Sequence, residues 1–88
     1  MSVATPIVVT VRVLLFASYA ETLGFDTVEL SLDVPASVQD VIDRLRSLPG
    51  GERLPPKPLC ALNLTHVSPD AVLSQGDELA ILPPLAGG

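Results

Sequence analysis

One stretch of the sequence, residues 37–48, carries the start signal, the apolar spacing and the stop signal of an amphipathic helix. Ser37 is a favoured N-cap residue, and Asp40 follows at the spacing of a capping box. The apolar face repeats every three or four positions and consists of Val38, Val41, Ile42, Leu45 and Leu48. Pro49 and the two glycines after it end the helix. A helix of this length must bury its apolar face against a second layer, which the rest of the chain has to supply.

The segments before this helix have the composition of two β-strands. Residues 7–16 are mostly β-branched or aliphatic with one charge, which predicts a strand covered on both faces. Residues 26–32 alternate between apolar and polar side chains, which predicts a half-exposed strand. Between them, residues 17–23 predict a short helical turn that Gly24 closes as a C-cap. This short connection favours a hairpin between the two strands.

Two shorter apolar runs after the helix predict the remaining strands. Residues 52–58 are rich in proline and are expected to form an exposed loop. Residues 59–64 and 77–82 predict strands, and Pro83-Pro84 ends the second, because proline cannot donate to a ladder. A helix that crosses to a later strand favours parallel pairing of the first and last strands. The order predicts an α+β protein with a β-grasp (ubiquitin-like) fold, a mixed sheet of four to five strands with one main helix.

Composition limits the organisation and the partners of the chain. At 88 residues and 48% apolar content it holds one core, so we expect a loose leader at 1–6, one domain at 7–82 and a flexible tail at 83–88. Ten acidic against five basic residues argue against nucleic acid as a partner. No apolar run approaches the roughly 20 residues of a membrane helix, and the N-terminus lacks a signal-peptide pattern. The single cysteine leaves no internal disulfide, which fits a cytoplasmic protein.

The side chains that usually carry chemistry form no recognisable site. Cys60 lies in an apolar run without basic neighbours, so we interpret it as a buried small hydrophobe. His66 is interpreted as an exposed turn residue. Gly50-Gly51 lacks the lysine and hydroxyl residue of a phosphate loop, and no cysteine cluster could hold zinc or iron–sulfur. We therefore expect this chain to bind no metal or cofactor itself.

The segment after the last predicted strand is the strongest candidate for chemistry. Gly87 and Gly88 have no Cβ, so they can enter a channel too narrow for other residues. Pro83 and Pro84 favour an extended start, and residues 83–88 span about 20 Å when extended. The α-carboxylate of Gly88 is ionised at neutral pH and becomes an electrophile only when activated, for example as an acyl-adenylate. Two glycines can simply fray at a terminus, but their place after a Pro-Pro pair that ends a β-grasp sheet favours a carrier tail.

The sequence resembles the small subunits of molybdopterin synthase over nearly the whole chain from Ile7 onward. The matching residues are Val13–Ala17, Glu21, Leu23-Gly24, Ala61–Asn63, Gly76–Leu79, Pro83-Pro84 and Gly87-Gly88. Ala20 stands where many members have arginine, and Ile81-Leu82 where many have an aromatic pair. An aliphatic contact with a partner would then replace an aromatic one.

The resemblance implies a sulfur carrier. A ubiquitin-activating-like adenylyltransferase would adenylate Gly88 with ATP and magnesium, and a sulfurtransferase would convert it to a thiocarboxylate. The tail would enter the large subunit, with Gly87 as its narrow neck and Pro83, Pro84, Leu85 and Ala86 leading to it. Its sulfur would attack cyclic pyranopterin monophosphate, twice for each molybdopterin.

The resemblance also implies how the work is divided. The acids and bases of catalysis would belong to the large subunit, so this chain would not be catalytic alone. Two carriers would flank a large-subunit dimer. An apolar surface beside the tail, formed by Phe16, Ile81 and Leu82, would dock on the partner.

Two other functions remain open at this point. A thiamine-pathway sulfur carrier would use the same tail chemistry with another acceptor, although that family tends to be shorter and to lack the loop at 49–58. A ubiquitin-like protein modifier would use the activated tail to form an isopeptide bond with lysine. Both alternatives depend on the same terminal glycine, Gly88.

Overall fold

The computed structural model describes residues 7–84, which form five strands, two α-helices and one 3₁₀ turn. The strands are β1 (Val8–Leu15), β2 (Thr27–Asp33), β3 (Leu59–Leu62), β4 (Thr65–Val67) and β5 (Glu78–Leu82). The helices are α1 (Ser18–Leu23) and α2 (Val38–Arg46), and the 3₁₀ turn covers Gly51–Arg53. The expected leader and the last four residues of the expected tail lie outside the described residues.

The five strands form one mixed sheet in the order β2-β1-β5-β3-β4. β1 pairs antiparallel with β2 and parallel with β5, so the predicted hairpin and the predicted crossover are both confirmed. β3 pairs antiparallel with both β5 and β4. The α+β class and the β-grasp fold are therefore confirmed.

The main helix begins as its sequence predicts but ends at Arg46, so Leu48, predicted on its apolar face, lies beyond the helix and is half-buried. The Ser37 hydroxyl accepts from the backbone N–H of Asp40, and an Asp40 carboxylate oxygen accepts from the N–H of Ser37 at 2.8 Å. The residues Val38, Val41, Ile42 and Leu45 are buried against one face of the sheet. Gly24 closes α1 in the left-handed conformation, also as predicted.

The structure corrects three details of the sequence analysis. β1 lies inside the sheet but is covered on one face only, because α2 packs on one side and leaves Val8 and Arg12 exposed. The segment 52–58 is not wholly an exposed loop: Leu54 is a core residue, and its carbonyl accepts from Arg46 Nε at 3.0 Å. The run at 59–64 ends earlier than predicted, since Asn63 and Leu64 form a two-residue turn.

That turn leads into β4, which the sequence analysis missed. Asn63 and Leu64 both have positive φ, 49° and 73°, as in the type I′ turn of a tight hairpin. β4 has only three residues, of which two are exposed, so it lacks an apolar pattern. His66 consequently lies in an edge strand rather than in a turn.

Candidate functional site

An apolar groove of about 850 Å³ lies at the end of the sheet where β5 stops. Because β1 runs parallel to β5 and β3 runs antiparallel to it, the end of β1, the end of β5 and the start of β3 meet there. β4 runs antiparallel to β3, so its end lies there too. The groove is lined by Phe16, Lys57, Pro58, Leu59, Cys60, His66, Val67, Pro69, Leu82, Pro83 and Pro84. It thus includes the first two residues of the expected tail.

The pleat of the sheet determines which side chains reach this surface. Residues on the other face of β5, Leu79 and Ile81, are fully buried beneath α2. Leu82 alternates with Ile81 and pairs in register with Leu59, which is 48% exposed. Phe16, directly after β1, is 45% exposed. Large apolar side chains therefore remain uncovered on the face of the sheet opposite the helix.

Two of the three predicted docking residues lie in this groove and the third does not. Phe16 and Leu82 both line it. Ile81 is 0% exposed, so its side chain belongs to the core and cannot take the docking contact expected for it. Ile81 and Leu82 are the last two residues of β5, and successive side chains of a strand point to opposite faces of the sheet. Only one of the two can therefore reach the groove.

Cys60 lies at the groove, on strand β3. It is buried, and burial raises the pKa of its thiol to about 11. Its Sγ donates to the carbonyl of Pro58 at 3.6 Å. Burial raises the pKa of Tyr19, a residue of α1, and the negative charge of the Cys60 thiolate is a second, smaller cause in the same direction. The interpretation of Cys60 as a small buried hydrophobe agrees with this environment.

Sequence reasoning missed several residues of the groove. Leu59 is brought there by the pairing of β3 with β5, His66 by the β3–β4 hairpin, and Lys57 by the loop that leads into β3. Of these only Leu59 carried a usable signal, as the first residue of a predicted strand that pairs with β5. Lys57 and His66 reach the groove only through tertiary structure.

The tail itself is described only at its start. Pro83 is half-buried and Pro84 exposed, both beside the groove. Leu85, Ala86, Gly87 and Gly88 lie outside the described residues.

The described residues, 7–84, hold neither a metal-ligand cluster nor a membrane-spanning helix. That range contains no cluster of three or more His, Cys, Asp or Glu side chains that could hold a metal ion. Within the same range, neither helix has the length and apolar character needed to cross a bilayer.

The fold and the groove together define a ubiquitin-like protein of the β-grasp type. The family model described as ThiS matches residues 13–88, which covers every element from the middle of β1 onward. The chain belongs to the ThiS family.

Two characterised relatives extend this similarity over most of the chain. It is 33% identical over 81 residues to a molybdopterin synthase sulfur carrier subunit of Arabidopsis thaliana, covering 91% of this chain and 84% of the relative. It is 36% identical over 81 residues to a protein of the same name from Escherichia coli, covering 89% of this chain and 99% of the relative.

Solved structures agree with the fold. SAMP1 (small archaeal modifier protein 1) from Haloferax volcanii is similar with a TM-score of 0.76 at 28% identity, covering 90% of this chain and 99% of that one. A chain from a complex of subunits 1 and 2 of molybdopterin-converting factor from Helicobacter pylori matches with a TM-score of 0.63 and 20% identity, covering 90% and 99%. The second likeness is one of fold alone.

Proposed function

We propose that this chain is the sulfur carrier subunit of a molybdopterin synthase. The observation that carries the proposal is the 33% and 36% identity to two sulfur carrier subunits over about nine tenths of the chain. The matched family segment runs to residue 88, so it includes Gly87 and Gly88. The single thiol of the sequence, Cys60, is a poor alternative carrier, because it is buried and its pKa is raised to about 11.

The reaction at Gly88 is proposed in two steps. A carboxylate oxygen of Gly88 attacks the α-phosphorus of ATP on a separate adenylyltransferase that uses Mg²⁺, and pyrophosphate leaves. A sulfurtransferase then delivers sulfur at the oxidation level of hydrosulfide; the sulfur bonds to the acyl carbon and AMP leaves. The products are the Gly88 thiocarboxylate and one proton. We place this chemistry in the cytoplasm.

Sulfur transfer then requires the large synthase subunit. The thiocarboxylate sulfur attacks a side-chain carbon of cyclic pyranopterin monophosphate. As the C–S bond forms, a C–O bond at that carbon breaks, and the oxygen leaves with the phosphate or as water. Water then cleaves the bond between the acyl carbon and the sulfur, which restores the Gly88 carboxylate and leaves the sulfur on the pterin. Two such cycles give the two sulfurs of a dithiolene. The two relatives at 33% and 36% identity are named as subunits of a molybdopterin synthase, which supports a partner of this kind. The groove of Phe16 and Leu82 supplies an apolar docking surface beside the tail.

A matched set of tail variants tests the proposal. Intact-mass analysis of the full chain from cells should find oxygen replaced by sulfur at Gly88. Deletion of Gly88 should abolish molybdopterin formation with the large subunit while circular dichroism stays unchanged. Gly87→Val should block adenylation, because the added side chain would meet a narrow channel; Ala86→Gly, which adds no bulk, is the control. Molybdopterin formation by the deletion variant at the normal rate would end the proposal.

A second function, covalent attachment to lysine, is favoured by the likeness to SAMP1 at 28% identity. Both functions need an activated Gly88, but they differ in its acceptor. Tryptic peptides with Gly88 joined to a lysine side chain, found in cell extract, would support the modifier function. Their absence alongside a Gly88 thiocarboxylate would favour the sulfur carrier.

A further inference from the structure

The charges around the groove differ in sign from those of the chain as a whole. The chain carries a net charge of −5. Within residues 7–84, however, the side chains lining the groove include no Asp or Glu; apart from Cys60, the ionisable ones are Lys57 and His66. Both are exposed, whereas the Cys60 thiol is buried with a pKa of about 11 and stays neutral. The groove thus combines an apolar floor with a basic edge.

No acidic side chain of residues 7–84 lines the groove, and several lie far from it. Asp40 and Asp43 are exposed on α2, which covers the opposite face of the sheet. Glu29 and Glu78 flank Arg12 in register on β2 and β5, toward the end of the sheet where β5 begins.

The acidic residues nearest to the groove are Asp70, which directly follows the lining residue Pro69, and Asp26, which lines a neighbouring cavity with Phe16. Neither lines the groove itself, so an acidic group seated in it contacts Lys57 and His66 rather than a carboxylate.

The position of the tail makes the groove part of any interface that receives Gly88. Pro83 and Pro84 line the groove, and only residues 85–88 separate it from the proposed reaction centre. Four residues span at most about 14 Å when extended. A partner that holds Gly88 must therefore lie beside the groove.

From these observations we propose that the groove binds an apolar segment of the large subunit that bears a carboxylate, and that this carboxylate pairs with Lys57 and hydrogen-bonds to His66. The inference rests on the proposed function, because it takes the partner to be the protein that receives the tail. Apolar side chains of the segment cover Phe16, Leu59 and Leu82. The carboxylate lies at the basic edge, where a partner segment with lysine or arginine would be repelled.

Charge-reversal variants of the full chain test the inference by calorimetric titration with the purified large subunit. We expect Lys57→Glu to weaken binding about tenfold or more, and Lys57→Gln to weaken it less. His66→Glu should weaken binding in the same direction, with His66→Gln as its neutral counterpart. Arg44→Glu is the matched control, because Arg44 is exposed on α2 and makes the same charge change away from the groove. Raising the salt concentration from about 0.05 to about 0.5 M should weaken the binding of the unchanged chain to the large subunit more than it weakens the binding of Lys57→Glu.

The outcomes separate this inference from the proposed function. If the unchanged chain binds the large subunit and both charge-reversal variants bind it with an affinity within about twofold, the inference of a carboxylate on the partner is wrong. The carrier function is unaffected by that result. Equal weakening by Arg44→Glu would also overturn the inference, because net charge rather than the groove would then be responsible. If the unchanged chain does not bind the large subunit, both proposals fail.

Discussion

Asn63 Nδ2 donates to Asp77 Oδ1 at 3.0 Å and so joins the β3–β4 turn to the residue before β5. Asn63 Oδ1 accepts from the backbone N–H of Glu78 at 2.9 Å, and the other Asp77 oxygen accepts from the N–H of Ser74 at 2.7 Å. One amide side chain thus fixes two loops at the end of the sheet remote from the groove. It also holds the turn that brings β4 and His66 back beside β3.

Replacing Asn63 should loosen this end of the sheet. Asn63→Ala loses two side-chain hydrogen bonds and places alanine at a φ of 49°, so we expect the free energy of unfolding to fall by about 1–2 kcal/mol. Asn63→Gly loses the same hydrogen bonds, but glycine adopts a positive φ without strain, so the free energy of unfolding should fall by less. Urea denaturation measures both values. An equal fall in the free energy of unfolding for the two variants would mean that the backbone conformation at position 63 does not affect stability.

Leu64 occupies a backbone conformation that leucine disfavours. Its φ is 73° and its side chain is 92% exposed, so no burial offsets the strain. Leu64→Gly should raise the free energy of unfolding by up to about 1 kcal/mol, because glycine suits the second position of a type I′ turn. Thermal unfolding of the two proteins checks the difference. A less stable variant would show that Leu64 makes contacts that compensate for its conformation.

The buried thiol predicts a loss of stability in alkali. Burial raises the pKa of Cys60 from its ordinary value of 9.0 to about 11 in the folded chain, so between these values the unfolded chain releases a proton that the folded chain retains. Stability should therefore be full below pH 9 and fall as the pH rises towards 11, by about 2 kcal/mol from this group.

Cys60→Ala isolates that contribution. Urea unfolding at several pH values across this range should give a shallower decline for the variant than for the unchanged chain. Some decline should persist, because the pKa of Tyr19 is raised as well. Parallel curves for the two proteins would contradict a thermodynamic role for the thiol.

The groove can be tested apart from its charges. Leu82→Glu places a charge among the apolar side chains of the groove and should weaken binding of the large subunit about tenfold or more. Leu64→Glu makes the same substitution at an exposed leucine outside the groove lining and should leave the affinity within about twofold. Calorimetric titration measures both. Similar affinities for the two variants would remove the groove from the interface.

Much of the architecture followed from local patterns. Ser37 and Asp40 predicted the start of the main helix, because a capping box is formed by residues three apart. Gly24 predicted the end of α1 for a similar reason, since its left-handed conformation closes the helix that precedes it. The predictions that were wrong concern contacts between distant parts of the chain. Leu54 lies in a proline-rich segment but is buried in the core, and β4 forms because a two-residue turn pairs it with β3.

The sequence by itself determined the order of the main helix and four of the five strands, the buried face of the helix, and a Pro-Pro pair followed by Gly87 and Gly88. These features depend on neighbours within a few residues, where spacing and backbone preference act directly. Only the tertiary structure decided that Ile81 is core while Leu82 reaches the surface, and that Lys57 and His66 meet Phe16 at one groove. The physical reason is that these residues approach through strand pairing, and register across a sheet depends on the packing of the whole domain rather than on local sequence.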